Sequence, residues 1–242
     1  MIAAVAAIGV LVACAKAGVR GEGSGVRETG VRTPDSGSRT PVPGPRLIVF
    51  LGTSLTAGLG LDPEQAYPAV IQRKLDSLGL PWRAVNAGVS GETSAGALRR
   101  LDWVLRDRPD ILVLETGAND MLRGLDLDST RANLEAIVQR ARAGDPRVAI
   151  VVAGMEAAPN LGQRYAAEFR SLFANLAARD HLALIPFLLA GVGGVDSLNQ
   201  ADGIHPTAAG DRIVAENVWR VLGPLVVGRT DAQAHRRTEM QR

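Results

Sequence analysis

Five short apolar runs, each ending near small residues and each followed by a helical stretch, constrain the fold of this 242-residue chain more than any other feature. The runs are Leu47–Leu51, Trp82–Asn86, Ile111–Glu115, Val148–Ala153 and Ala183–Phe187. They are nearly continuous in apolar character, so both faces of each strand need cover. That is the condition of a parallel sheet held between helices. The helical stretches fall at 63–79, 93–106, 128–143, 160–180 and 206–222. Five such units joined by right-handed crossovers predict an α/β fold, a three-layer α/β/α sandwich around a five-stranded parallel sheet. A ligand of such a sheet belongs at the carboxyl ends of the strands, near the reversal in strand order.

The polar residues cluster at that edge. Gly52-Thr53-Ser54-Leu55 follows the first strand, Gly88-Val89-Ser90-Gly91-Glu92-Thr93 the second and Gly117-Ala118-Asn119-Asp120 the third, while Asp202-Gly203-Ile204-His205-Pro206 precedes the last helix. Acyl transfer needs a nucleophile, a base, a group that orients the base, and donors for a developing oxyanion. Ser54 sits where a strand becomes a loop, so its hydroxyl can project from the sheet. Of three histidines, His181 is expected to end a helix and His235 lies in the C-terminal segment. Only His205 stands between the sheet edge and a helix that Pro206 can start. Asp202, three residues earlier, can accept from one imidazole nitrogen. Asn119 and the Gly91 amide can serve as uncharged oxyanion donors. Each residue also has a plainer reading. Ser54 fills a loop, Asp202-Gly203 is a turn, His205 starts a helix, Gly91 supplies positive φ and Asn119 caps its own loop. Asp120 reads as a loop brace. Glu92 and Glu115 lie nearby, and their spacing suggests no metal site.

With these residues in view, four ordered blocks resemble the SGNH (GDSL-like) hydrolases. Ile48 through Gly58 is similar to the first block, usually Gly-Asp-Ser-Leu. Asn86 through Ser94, Gly117 through Gly124 and Asp202 through Pro206 resemble the second, third and fifth. Pro159-Asn160-Leu161-Gly162 with Arg164-Tyr165 resembles the loop after strand four in bacterial arylesterases and multifunctional thioesterase/lysophospholipases. The resemblance covers about residues 46–225 and implies a flavodoxin-like, three-layer hydrolase that uses no cofactor and no metal. It implies Ser54 as nucleophile and first oxyanion donor, Gly91 and Asn119 as the other donors, and His205 as base oriented by Asp202. It also implies a small-molecule ester, thioester or lysolipid as substrate. Residues 154–162 and 188–195 are expected to wall the acyl chain. Thr53 stands where the family usually has Asp, which bears on how the Ser54 loop is braced. A second reading applies the same machinery to acetylated glycans of the envelope. Sugar recognition favours aromatics, however, and few beyond Tyr67, Trp82 and Trp103 are available. A non-catalytic binding protein on this fold is a third reading, against which the intact Ser-Asp-His set argues.

The chain's ends read differently. Residues 1–14 form an apolar run of signal-peptide length, shorter than the ~18 residues wanted to span a bilayer. Leu11-Val12-Ala13-Cys14 resembles the bacterial lipobox, which implies export to the cell envelope, as a periplasmic protein or one held to a membrane through a lipidated Cys14. An ordinary cleaved signal with an incidental Cys14 stays open. Residues 15–45, rich in Gly, Ser, Pro, Thr and Arg, read as a disordered linker. Residues 46–227 form the hydrolase domain and 228–242 a loose polar tail. Here composition matters: the whole chain carries +2, but 46–227 holds 18 Lys/Arg against 20 Asp/Glu, a net −2. The basic excess therefore sits in the end segments, and no basic run interleaved with aromatics marks a nucleic-acid partner. One cysteine excludes an internal disulfide. The sequence carries no statement of oligomeric state.

Overall fold

The computed structural model describes residues 44–240. Cys14, the signal-like segment 1–14 and nearly all of the linker 15–45 lie outside the described residues.

Five strands, β1 (Arg46–Gly52), β2 (Trp82–Gly88), β3 (Ile111–Leu114), β4 (Ala149–Ala153) and β5 (Ala183–Ile185), form one parallel sheet in the order β2-β1-β3-β4-β5. Register follows the apolar runs: Ile48 pairs with Ala84 on one side and Ile111 on the other, and Leu112 with Ile150. Ile48, Phe50 and Leu51 are fully buried, as are Ile111, Leu112 and Val151. Burial of consecutive residues means that both faces are covered, as the uninterrupted apolar pattern requires.

Helices follow the strands. α1 (Ser54–Ala57) and α2 (Tyr67–Ser77) come after β1, and α3 (Ser94–Val104) after β2. α4 (Ala118–Leu122) and α5 (Leu127–Gly144) follow β3, α6 (Gln163–Arg179) follows β4, and α7 (Ala208–Met240) follows β5. α2 packs against α7, whereas α3 packs on α5 and α5 on α6. Those pairings make the outer two of three layers. Each long helix buries one stripe: Ile71 and Leu75 in α2, Leu134, Ile137 and Val138 in α5, and Phe169, Leu172, Phe173 and Leu176 in α6. That i, i+3, i+4 spacing is what an amphipathic helix on a sheet requires. Phe50 meets Tyr67 edge-on, with ring centroids 5.6 Å apart.

Two parts differ from the sequence reading. The last helix runs to Met240, through Pro224, so residues 228–240 are helical where a loose tail was expected. Trp82 Nε1 donates to Thr230 Oγ1 at 2.8 Å, and Arg46 Nη1 donates to the Arg229 carbonyl at 2.7 Å. These contacts tie the polar helix end to the amino edge of the sheet. The second difference lies in 188–195, where Leu188 and Val192 are buried in the core. Of that segment's large apolar side chains only Val195 is well exposed, while Leu188 and Val192 pack into the core.

The strand order reverses between β1 and β3, because the chain steps from β1 to β2 and then returns to the far side of β1. The carboxyl ends of β1 and β3 therefore flank a crevice, the place where such sheets hold ligands.

Candidate active site

The turn that carries Ser54, the candidate nucleophile, is built by close packing. β1 ends at Gly52, and Ser54 opens the single turn α1. A Cβ on Gly52 would lie 1.9 Å from Thr56 Oγ1, and one on neighbouring Gly88 would lie 2.3 Å from the Ala57 amide nitrogen. Only glycines allow α1 to fold back so tightly over the strand ends. Beneath the turn sits Glu115, a fully buried carboxylate at the end of the third apolar run. It accepts from the Thr53 N–H at 2.7 Å, from Thr53 Oγ1 at 2.9 Å and from Thr56 Oγ1 at 2.8 Å. With its proton on Glu115, Thr56 Oγ1 accepts from the Tyr67 hydroxyl at 2.8 Å. Burial pushes the Glu115 carboxyl above its ordinary range, opposed by the Thr53 and Thr56 donors. Burial, and next Glu115 itself, push the Tyr67 hydroxyl well up, which keeps it a donor.

The candidate base comes from the loop before α7. His205 Nε2 lies 2.8 Å from Ser54 Oγ, and His205 Nδ1 lies 2.6 Å from Asp202 Oδ2. Asp202 Oδ1 accepts the backbone N–H groups of Ile204 and His205 at 2.9 and 3.0 Å. The His205 N–H, then its ring, then the Ile204 N–H hold the Asp202 carboxyl far below the usual range. An ionised carboxylate can only accept, so Nδ1 carries the proton and Nε2 is left to accept from Ser54. Gly203 adopts φ +69°, which lets the chain wrap Asp202. Gln200 staples the loop: its N–H donates to the His205 carbonyl at 2.7 Å, and its side-chain amide to Leu59 and Pro206 carbonyls at 2.7 and 2.9 Å. His181 lies between α6 and β5, at the opposite edge of the sheet, and cannot take this role.

Gly91 (φ +76°) stands on the loop after β2, and Asn119 in the first turn of α4. Among the described residues the amide N–H groups of Ser54 and Gly91 donate to no protein acceptor. One hydrogen of the Asn119 amide goes to the Glu92 carbonyl at 3.0 Å, and the other is free for a ligand. Arg100 holds the Glu92 carboxylate at 2.7 Å and also reaches the Gly52 carbonyl at 3.2 Å. Asp120, read as a brace, is buried and accepts from Ser94 N–H at 2.8 Å and Ser94 Oγ at 2.5 Å. It fixes the start of α3.

The structure thus brings Ser54, Asp202, His205, Gly91 and Asn119 to one edge. The sequence reading passed over Arg100, Gln200 and Arg123, and it named Glu115 without giving it a role. A charged residue closing an otherwise apolar run is the one signal that marked Glu115. No three His, Cys, Asp or Glu side chains converge as metal ligands among the described residues. A cavity of about 510 Å³ at the amino edge is lined by Arg46, Asp110, Asp145 and Arg147, which pair as Arg46–Asp110 and Arg147–Asp145. None of its lining residues is a Ser, Cys, Thr or His.

A hydroxyl, an imidazole and a carboxylate in line at the carboxyl edge of a doubly wound sheet define a serine-type hydrolase. Residues 50–213 match the GDSL-like lipase/acylhydrolase family. The esterase TesA of Pseudomonas aeruginosa is 42% identical over 180 residues, 74% of this chain and 89% of that protein. The thioesterase 1/protease 1/lysophospholipase L1 of Escherichia coli K12 is 32% identical over 180 residues, covering 74% and 84%. Among solved structures, AlinE4, an SGNH-hydrolase family esterase, superposes with TM-score 0.63 at 37% identity, covering 80% of this chain and 97% of that one. The chain belongs to the GDSL-like lipase/acylhydrolase family and is an ester hydrolase.

Proposed function

We propose that the protein hydrolyses short- to medium-chain acyl esters, aryl esters, thioesters or lysophospholipids through an acyl-enzyme on Ser54. The observation that carries this reading is the unbroken line Asp202 Oδ2–His205 Nδ1, His205 Nε2–Ser54 Oγ, at 2.6 and 2.8 Å. His205 Nε2 takes the Ser54 proton as Oγ attacks the acyl carbon, and Asp202 stabilises the imidazolium that forms. The oxyanion is received by the Ser54 N–H, the Gly91 N–H and the free hydrogen of the Asn119 amide. Donors that have no other protein acceptor to give up support this reading, since such groups oppose the step with little reorganisation. The imidazolium then gives its proton to the departing alcohol or thiol. Water, deprotonated by His205, repeats the sequence on the acyl-enzyme and releases the acid. The names of the relatives, an esterase and a thioesterase/lysophospholipase, support this substrate range.

The test is labelling with a fluorophosphonate, which traps an activated serine. The wild type should label and hydrolyse an aryl ester, and Ser54→Ala should do neither while melting like the parent. Labelling that persists in Ser54→Ala overturns the assignment. For location, the lipobox-like Leu11-Val12-Ala13-Cys14 supports export and attachment to a membrane through Cys14. Wild type that stays in the soluble fraction of its host with an intact N-terminus would refute this.

A further inference from the structure

We propose that Arg123 determines specificity by recognising an anionic group, a phosphate above all, carried on the alcohol part of the ester. The inference rests on the acyl-transfer reading of Ser54. Arg123 follows α4, and its Nη2 donates to the Gly91 carbonyl at 2.7 Å. A Cβ on Gly91 would lie 3.6 Å from that same nitrogen. The guanidinium therefore stands beside one of the proposed oxyanion donors, on an exposed side chain.

Arg123 is exposed and forms no ion pair among the described residues. None of the carboxylates on the neighbouring stretches of chain contacts it: Glu92 pairs with Arg100 and Asp128 with Arg131, while Asp120 and Asp126 accept from Ser94 and Ser129. A guanidinium has five N–H donors in a fork suited to phosphate, and the one hydrogen bond to Gly91 leaves most of them without a protein acceptor. Its neighbours are unusual for a surface cation. Leu122, which closes α4, and Leu125 in the following turn are 52% and 42% exposed, and Val89 on the Gly91 loop is 44% exposed. A lone cation among apolar side chains complements a molecule that is itself half apolar and half anionic.

Reach selects among such molecules. Summing the contact to Gly91, the short step to its nitrogen and one hydrogen bond puts the oxyanion within about 9 Å of Nη2. In an acylated glycerol phosphate about six bonds separate the ester carbon from phosphorus, or roughly 7 Å extended. That phosphate falls within the grasp of Arg123. The phosphates of a coenzyme A thioester, many more bonds away, do not.

The experiment compares two soluble substrates below their aggregation limits, octanoylglycerol phosphate and octanoylglycerol, which differ only in the phosphate. The readout is the ratio of their kcat/KM values on the full chain. That ratio cancels any loss of oxyanion geometry common to both. Wild type should favour the phosphate ester, Arg123→Gln should lower the ratio by about tenfold or more, and Arg123→Lys should restore part of it. Raising ionic strength should lower the wild-type ratio as well. A ratio near one in wild type, or the same ratio in wild type and Arg123→Gln, overturns the inference. Equal losses on both substrates do so too, since Arg123 would then act only through the Gly91 loop. Failure of the acyl-transfer reading is distinct, for then no substrate, including an octanoyl aryl ester, is hydrolysed and Ser54 does not label.

Discussion

Replacing Asp211 by Asn should stabilise the protein, and more so as pH rises. Asp211 lies in the first turn of α7, is 1% exposed, and accepts the Tyr67 N–H at the start of α2 at 2.9 Å. Burial pushes its carboxyl from 3.8 up to about 7, with the Tyr67 N–H pulling the other way. A folded-state value above the unfolded one means that the folded protein holds the proton more tightly. The group then costs nothing well below pH 4, and the cost grows as pH rises toward 7 and levels off beyond it. At about 1.4 kcal/mol per pH unit, the full cost is about 4 kcal/mol, a large part of the 5–15 kcal/mol typical of a domain. Asn is neutral throughout and keeps an oxygen for the Tyr67 N–H. Urea unfolding of Asp211→Asn and wild type should therefore show a stability gap that widens by about 2–3 kcal/mol between about pH 5 and pH 8. Glu115, raised in the same direction, and Asp145, lowered to about 2 by Arg147, are present in both proteins and cancel in the difference. A gap that is constant with pH, or a variant less stable than wild type at pH 8, refutes the reasoning.

The remaining expectations concern the site and the N-terminus. Asp202→Asn should reduce kcat by about 10⁴ with the fold intact, because the imidazole loses both its tautomer and its counter-charge; a change below tenfold would mean that Asp202 does not orient the base. Asn119→Ala should lower kcat by about 10²–10³ with KM much less affected, and a pure KM effect would make it a substrate-binding residue instead. Thr53→Val removes one hydroxyl donor from a buried carboxylate and should cost about 1.5–3 kcal/mol in urea unfolding, with far less loss of turnover than Ser54→Ala. Cys14→Ser should release the protein from the membrane fraction of its host, and equal partitioning of both forms would remove the case for lipidation.

The sheet and the five candidate site positions stand out in the sequence because both are written locally. Uninterrupted apolar runs show strands covered on both faces, and glycines at strand ends mark turns where polar residues emerge. What local pattern does not carry was missed for identifiable reasons. α1 and α4 are single turns, too short for a period of 3.6 to show. The far half of α7 is polar and follows Pro224, so nothing nearby announces it. It is held by Trp82–Thr230 and Arg46–Arg229 contacts spanning 148 and 183 residues. Leu188 and Val192 looked available for an acyl chain, but only the tertiary structure reveals that the core takes them. Glu115 was noticed without its meaning, because the donors that explain it lie 59 and 62 residues earlier.

Those donors also account for the departure at Thr53. An Asp there, as the family usually has, would set a second carboxylate against Glu115, and two carboxylates sharing a buried site cannot both ionise freely, so one is forced toward its protonated form. Thr53 resolves the conflict differently. Its hydroxyl and its N–H both donate to Glu115, and Thr56 adds a third donor, so a single buried carboxylate meets three hydrogen bonds and no rival charge. The turn that presents Ser54 is therefore braced by donor-to-carboxylate contacts on either side of the nucleophile, at residues 53 and 56. Neither partner touches the Ser54 hydroxyl, which is left to His205 alone. That separation explains why a position next to the nucleophile can change residue type while the reacting line stays intact: the brace requires a hydrogen-bond donor facing Glu115, and the chemistry requires nothing of that side chain.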